Sequence, residues 1–182
     1  NYDAIFIGSG APRGRDLEIP GRKEAAANIH IGIDWLASVS FGHVNAIGKR
    51  VIVLGGGNTA MDCCRSSRRL GGENVKAIVR SGFQEMKSSE WEREDAQNEG
   101  IEILNYLVPL EFTHDRGKLT GITFEPVRPV YDEKGKRTLI PTGEGWKHFE
   151  CDDVLIAIGQ DNAFPWIERD IGLEFNRGMP VV

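Results

Sequence analysis

The residues best suited to chemistry lie at 51–62, where the chain reads Val-Ile-Val-Leu-Gly-Gly-Gly-Asn-Thr-Ala-Met-Asp. Gly55, Gly57 and Ala60 stand at the spacing Gly-x-Gly-x-x-Ala, directly after an apolar, β-branched run and directly before residues with helical periodicity. Each position has a physical task in holding the pyrophosphate of a dinucleotide. Gly55 permits a tight turn, with Gly56 inside it. Gly57 lets backbone approach phosphate because no Cβ intervenes, and Ala60 lets the helix pack close to the strand. Asn58 and Thr59 fall at the helix start, where unpaired N–H groups and the positive end of the helix dipole attract an anion. The competing reading is a strand-to-helix turn whose small residues serve packing alone. The strand before the motif and the helix after it favour the nucleotide site.

The end of the next strand should discriminate between dinucleotides, because the adenosine ribose lies there. An Asp or Glu at that point accepts from the 2′-OH of NAD, whereas Arg receives the 2′-phosphate of NADP. Here the strand-like run 75–79 ends at Arg80 and Ser81, and Glu73 lies before the strand, at its wrong end. Arg80 offers a charge-assisted fork, the Ser81 hydroxyl a second donor, and Lys87 is within possible reach. NADPH is therefore favoured, with NADH as the alternative and a merely solvated Arg80 as the competing reading.

Other reactive residue types do not form constellations. His30, His43, His114 and His148 are isolated, without metal-ligand spacing. Cys63 and Cys64 lie on the helix after the glycine turn and read as packing thiols. The acidic group Glu90, Glu92, Glu94 and Asp95, interleaved with Arg93, reads as a solvated helix face. No Ser-His-Asp or paired-carboxylate arrangement is evident.

These residues need elements to position them. Residues 4–7 read as a buried strand ending in a glycine turn, but Pro12 and the charged run 13–18 follow instead of a helix, so this is a strand with an irregular loop rather than a second nucleotide loop. Residues 24–40 carry helical periodicity interrupted by Gly32, predicting one helix or two short ones. Strand 50–54, helix 58–70, strand 75–79, helix 86–99 and strand 101–104 then make a βαβαβ run. After Pro109 the pattern changes to short strands at 110–113, 119–124, 127–131, 137–140 and 146–150, separated by turn signals, which predicts an antiparallel meander. Residues 153–158 form a last buried strand ending at Gly159, and the chain closes on a strand-like Pro-Val-Val.

Composition bounds the function. The chain has 182 residues, 40% hydrophobic and 27% charged, enough for a real core and too apolar for disorder. A net charge of −5 spread along the sequence offers no footprint for a phosphate backbone, so no nucleic acid is expected. The three cysteines supply neither a disulfide framework nor a Cys-x-x-Cys pair, which points to a reducing, cytoplasmic setting. No apolar run reaches the roughly 18 residues of a membrane span, and no signal segment opens the chain. The 22 glycines, about 12% against an ordinary usage of about 7%, cluster at the ends of apolar runs, where α/β proteins bring backbone to a nucleotide.

On these motifs the chain resembles the flavin-containing reductases with two dinucleotide-binding domains, within the pyridine nucleotide-disulfide oxidoreductase superfamily, and is most similar to the NADPH-dependent glutamate synthase small (beta) subunits. Residues 5–11, Ile-Phe-Ile-Gly-Ser-Gly-Ala, with 17–21, look like the first crossing between an FAD domain and an inserted NAD(P)H domain, and 154–160 like the return. Residues 55–65 look like the pyrophosphate loop and its helix, and 79–86 like the stretch after the second strand, where a pair of arginines is usual and Ser81 here replaces one. The resemblance implies a fragment: residues 1–44 a flanking segment of a split FAD domain with linker, 45–160 the NAD(P)H-binding domain, and 161–182 the start of the return. It implies FAD in the full-length protein, an iron–sulfur cluster in a region preceding this chain, and a large catalytic subunit as a possible partner. Lack of Cys-x-x-Cys argues against the thioredoxin-reductase branch.

The expected architecture is α/β, a Rossmann-like three-layer nucleotide-binding domain with a parallel sheet, helices on one face and the antiparallel β-meander on the other. Ile158 and Gly159 are the residues expected nearest the nicotinamide. No catalytic acid or base is expected, since hydride transfer to flavin is a matter of positioning. Two alternatives stay open. One is a flavin-free dehydrogenase, which a histidine or lysine near Gly159 would favour. The other is a non-enzymatic NAD(P)-binding or docking module presenting Trp91, Trp146 or Trp166.

Overall fold

The computed structural model describes residues 3, 6, 8, 10–165, 167, 172–176 and 179–181. Its strands are β1 (Arg13–Gly14), β2 (Ile29–Ile31), β3 (Arg50–Leu54), β4 (Asn74–Val79), β5 (Glu102–Asn105), β6 (Leu107–Asp115), β7 (Lys118–Tyr131), β8 (Arg137–Pro141), β9 (Lys147–Glu150), β10 (Asp153–Ile156), β11 (Gln160–Asp161), β12 (Phe175–Asn176) and β13 (Met179–Pro180). Its α-helices are α1 (Gly32–Ser40), α2 (Asn58–Arg69) and α3 (Glu90–Asn98). The strand expected at residues 4–7 falls largely outside the described residues.

The central sheet has five parallel strands in the order β2-β10-β3-β4-β5. Because a parallel sheet is covered on both faces, its strands are apolar throughout, and the two-residue period sorts each side chain to one face. Val51, Val53, Val75, Ala77, Val79 and Leu155 face the helices, packing with Trp35, Met61, Cys63, Cys64 and Ala96. Ile29, Ile52, Leu54, Ile78, Val154 and Ile156 face the antiparallel strands, packing with Leu107, Phe112, Ile122 and Phe124. The result is the three-layer arrangement expected: helices, parallel sheet, antiparallel sheet.

Helix α2 buries Ala60, Met61, Cys63, Cys64 and Ser67, the stripe that helical periodicity requires. Arg68 and Arg69 in its last turn meet the negative end of the dipole. Arg65 clamps α2 to α3 through Glu99 at 2.7 Å and Glu92 at 3.3 Å. Burial pushes the Cys63 thiol up to about 12 and the Cys64 thiol well above its ordinary value, so both are packing groups rather than nucleophiles.

Four expectations need correction. Residues 24–40 are not one helix or two: a single 3₁₀ turn at Ala26–Asn28 leads into β2, and only α1 is α-helical. Ile29 and Ile31 suit either period, and pairing of the three residues with β10 makes them an edge strand. The helix expected from residue 86 starts at Glu90, because Met86 caps a short 3₁₀ turn at Phe83–Glu85 and extended backbone follows. The runs 119–124 and 127–131 are one strand, β7, despite Pro126 and Pro129. Pro126 lies where β7 passes from β9 to β8 while still paired with Leu107 of β6, and its carbonyl accepts from the Thr142 N–H. The meander is therefore not sequential: β9 returns to pair β7 beside β8.

At the N-terminal end of the sheet, Asp152 accepts from the Arg50 backbone N–H at 2.8 Å and from its guanidinium at 2.7 Å, setting β10 beside β3. The hydrogen bonds from the Arg50 guanidinium, with that from its backbone N–H, hold the Asp152 carboxyl below its ordinary 3.8. A depressed carboxylate stabilises the fold above its unfolded-state pKa and loses that contribution as pH falls through the folded value. Urea unfolding is expected to show Asp152→Asn less stable than wild type at neutral pH, with the gap closing below about pH 4. A gap independent of pH would mean that the carboxylate charge contributes nothing.

Candidate functional site

The carboxyl ends of β3, β4 and β10 open on a cleft of about 710 Å³, between the sheet's end and the first residues of β6. This is where open α/β sheets bind ligands. It is lined by Gly55, Gly56, Gly57, Thr59, Arg80, Ser81, Lys87, Ile158 and Gly159, so nine residues singled out from sequence converge here. Two do not reach it. Ala60 is buried in the core behind the turn. The Asn58 side chain accepts from the Ser89 N–H at 3.1 Å, tying α2 to the start of α3.

The glycine turn shows why each residue is small. Gly55 has φ +139°, and a Cβ there would stand 2.2 Å from the Ala157 carbonyl oxygen, because the backbone leaving β10, the parallel neighbour of β3, runs close beside the turn. A Cβ on Gly56 would meet Val79 at 2.8 Å. Gly57 differs: among the described residues nothing lies within 4 Å of a Cβ placed on it, and none of them accounts for its lack of a side chain. Gly57 is also the N-cap of α2, and no side chain caps that helix. Of the first-turn N–H groups, that of Ala60 donates to the Gly57 carbonyl at 3.0 Å, and those of Asn58 and Thr59 are left at the positive end of the dipole for a ligand on the open side of the turn.

Around the cleft the charges are mostly positive. Arg80 and Lys87 are exposed, and among the described residues neither head group has a hydrogen-bond or ion-pair partner. The Ser81 carbonyl accepts from Asn105 Nδ2 at 2.8 Å, which fixes the backbone after β4 and leaves the hydroxyl uncommitted. Glu85 is the sole carboxylate of the described lining.

At the other end, β1 pairs antiparallel with β11, bringing the early and late segments of the chain side by side. Arg15 N–H donates to the Gly159 carbonyl at 3.0 Å, and the Arg15 guanidinium donates to Asp161 at 2.6 Å. Ile158 is 42% exposed beside them, an apolar side chain left facing the cleft mouth.

Sequence reasoning missed Arg15, Glu85, Arg137 and Gln160. Gln160 Nε2 donates to Thr59 Oγ1 at 3.0 Å, joining residues 101 positions apart across the cleft. Its place directly after Gly159 was the only available signal; Arg137, on the β7–β8 hairpin, carried none. The described lining contains no histidine, and its lysine, Lys87, follows Met86 on the β4 side. Trp91 and Trp146 are exposed, while Trp166 lies outside the described residues. Among the described residues no helix is long and apolar enough to cross a membrane.

Comparison with known proteins agrees with this geometry. Mycobacterium tuberculosis FprA in complex with NADPH superposes with a TM-score of 0.72 at 20% identity, covering 96% of this chain and 53% of that one. Thioredoxin reductase from Lactococcus lactis superposes with a TM-score of 0.63 at 21% identity, covering 88% and 46%. These likenesses establish the fold. Among curated relatives, the NADPH-Fe(3+) oxidoreductase subunit beta of Geobacter sulfurreducens is 32% identical over 186 residues, spanning 100% of this chain and 27% of its own length. The glutamate synthase [NADPH] small chain of Azospirillum brasilense is 34% identical over 148 residues, spanning 74% of this chain and 30% of its own length. The chain thus spans less than a third of these relatives. The family model for pyridine nucleotide-disulphide oxidoreductases matches residues 1–182, and the chain belongs to that family.

Proposed function

We propose that this chain binds NADPH and positions it for hydride transfer to FAD, within an oxidoreductase that passes the electrons onward as glutamate synthase small subunits and their relatives do. The observation that carries the reading is the turn at Gly57: an uncapped helix start beside a glycine with empty space where a side chain would be, opening on a cleft of about 710 Å³. A pyrophosphate fits both features, since it needs free N–H donors and close backbone approach.

NADPH supplies a hydride when bound, and FAD accepts it. The protein's part is binding and orientation. Gly55 to Gly57 and the first turn of α2 hold the pyrophosphate, while Arg80, Ser81 and Lys87 hold the adenosine ribose and its phosphate. Ile158 and Gly159 lie where the nicotinamide end would come, and the exposed Ile158 helps to exclude water from it. The paired β1 and β11 would lead to the FAD-binding part of the protein, with residues 1–44 and 161–182 as its flanking segments and 45–160 as the NADPH-binding domain. The iron–sulfur cluster does not fit here. The three cysteines are buried on both faces of the sheet, Cys63 and Cys64 among the helices and Cys151 under the antiparallel strands, so a cluster would belong to another part of the protein. The relatives' designations as beta subunit and small chain support a larger partner subunit, and the packing thiols support a reducing, cytoplasmic setting.

Calorimetric titration with NADPH and with NADH tests the reading. NADPH is expected to bind the more tightly. Arg80→Ala is expected to weaken NADPH by about 10- to 100-fold, the size of a charged hydrogen bond, and to leave NADH unchanged. Equal binding of both nucleotides, or an unaffected Arg80→Ala, would make Arg80 a bystander and move the chain to an NADH-linked function. Failure of either nucleotide to bind would remove the assignment.

A further inference from the structure

We propose that Arg137, on the hairpin formed by β7 and β8, is a second cationic ligand for the ribose 2′-phosphate and sets the preference for NADPH over NADH. This rests on the nucleotide reading above and extends it to a residue 57 positions from Arg80, on a different layer of the fold.

The placement follows from a chain of bonds. Arg137 Nη1 donates to Glu85 Oε2, and the same oxygen accepts the Gly82 N–H at 2.8 Å. Glu85 Oε1 accepts from the Tyr131 hydroxyl at 3.0 Å, and Tyr131 is the cross-strand partner of Arg137. Gly82 directly follows Ser81. The hairpin is thereby pinned to the loop after β4, and the Arg137 guanidinium enters the cleft wall beside the Arg80–Ser81 corner, where it is part of the lining.

A phosphate monoester carries a charge of about −1.5 to −2 at neutral pH, more than one arginine neutralises. Of the other cationic groups on the cleft, Arg15 is taken up by Asp161, and Lys87 is a mobile point charge. Arg137 differs from both. One nitrogen is fixed by Glu85, while among the described residues Nε and Nη2 have no partner, so a planar pair of donors is held in place with its entropy cost already met. Glu85 is the feature that could argue the other way, since a carboxylate can accept from the 2′-OH of NADH. Its two oxygens already receive three donors, and the Gly82 N–H together with Tyr131 and Arg137 holds its carboxyl below the ordinary range. It is an anchor for the arginine rather than an acceptor awaiting a ribose.

The test measures affinity for NADPH, NADH and 2′,5′-ADP, the last carrying the 2′-phosphate without nicotinamide, in wild type, Arg137→Gln, Arg137→Lys and Glu85→Gln, with thermal midpoints for each. Arg137→Gln is expected to weaken NADPH and 2′,5′-ADP about ten-fold and leave NADH unchanged. Arg137→Lys should recover part of the loss. Glu85→Gln, which keeps the arginine but weakens its anchor, should lower NADPH and 2′,5′-ADP affinity by less than Arg137→Gln does and leave NADH unchanged, and this arm stands even if Arg137→Gln disturbs the hairpin. The proposal is overturned if NADPH and NADH weaken together, if neither changes, or if Glu85→Gln weakens NADH and leaves NADPH unchanged, which would make Glu85 the ribose acceptor. A wild type that discriminates, with Arg80→Ala but not Arg137→Gln removing the discrimination, would sink this inference and spare the NADPH reading. A wild type that binds neither nucleotide would sink both.

Discussion

A Gly57→Val protein is expected to fold, with no more than about 1 kcal/mol of stability lost through the poorer helix cap, and to lose NADPH affinity by about 100-fold or more. Both halves follow from the surroundings of one atom. The Gly57 backbone is extended, with φ −96° and ψ 176°, a conformation that a β-branched residue adopts readily. Among the described residues nothing stands within 4 Å of the added Cβ, so the branch point itself meets no clash. The space the valine would fill is the space left for phosphate beside the α2 N-terminus. Excluding the pyrophosphate from its donors removes several charge-assisted hydrogen bonds together, and at about 1.4 kcal/mol per factor of ten two lost bonds account for a drop of that size. Equilibrium binding and a melting curve on the same sample decide the matter. A fall in midpoint with affinity retained would reverse the argument, making Gly57 a packing residue and the turn no phosphate site.

Gly55→Val, two residues away, is expected to do the opposite: to destabilise the fold by about 3 kcal/mol or more whether or not nucleotide is present. At φ +139° every side chain is strained, and the Cβ would lie 2.2 Å from the Ala157 carbonyl oxygen, which belongs to the backbone after β10 and cannot rotate aside. Relief requires β10 to move from β3. The two strands are registered along Val154–Ile52 and Leu155–Val53, and the Ala157 N–H donates to the Leu54 carbonyl at 2.8 Å. That sheet contact is the centre of the core, so the cost belongs with overpacked interior substitutions at the severe end of single mutations. Urea denaturation without ligand is the direct measurement. Wild-type stability with lost binding would show that the close approach to Ala157 relaxes easily and that Gly55 serves the ligand rather than the fold. The two variants together separate the glycine that the sheet demands from the glycine that the ligand demands.

What could be read without the fold was what is local. The run Val51 to Leu54, the glycine spacing and the stripe of α2 each express a periodicity within a few residues, and an apolar strand passing through a small-residue turn into a helix has few other uses. The change to short alternating strands after Pro109 likewise announced an antiparallel layer. Where local preference is weak, the sequence left the outcome open. Ile29–Ile31 becomes a strand only because β10 is beside it to accept the pairing, and Lys118–Tyr131 continues through Pro126 only because β7 changes neighbours at that residue.

The site divides in the same way. Gly55, Gly57 and Arg80 announce themselves by their position relative to strand ends, which the sequence determines. The difference between Gly55 and Gly57 does not appear there, because it depends on whether another strand runs beside the turn. Nor do the bond from Gln160 to Thr59 or the arrival of Arg137 at Glu85, since those pairs are 101 and 52 residues apart, the first joined by the pairing of β10 with β3 and the second by the stacking of one sheet on another. The physical reason is range. Backbone preference and hydrophobic period act over one or two turns of chain, while steric exclusion and ion pairing act through space, and only the tertiary packing of β10 beside the glycine turn and of the β7–β8 hairpin over the cleft decided which residues they act on.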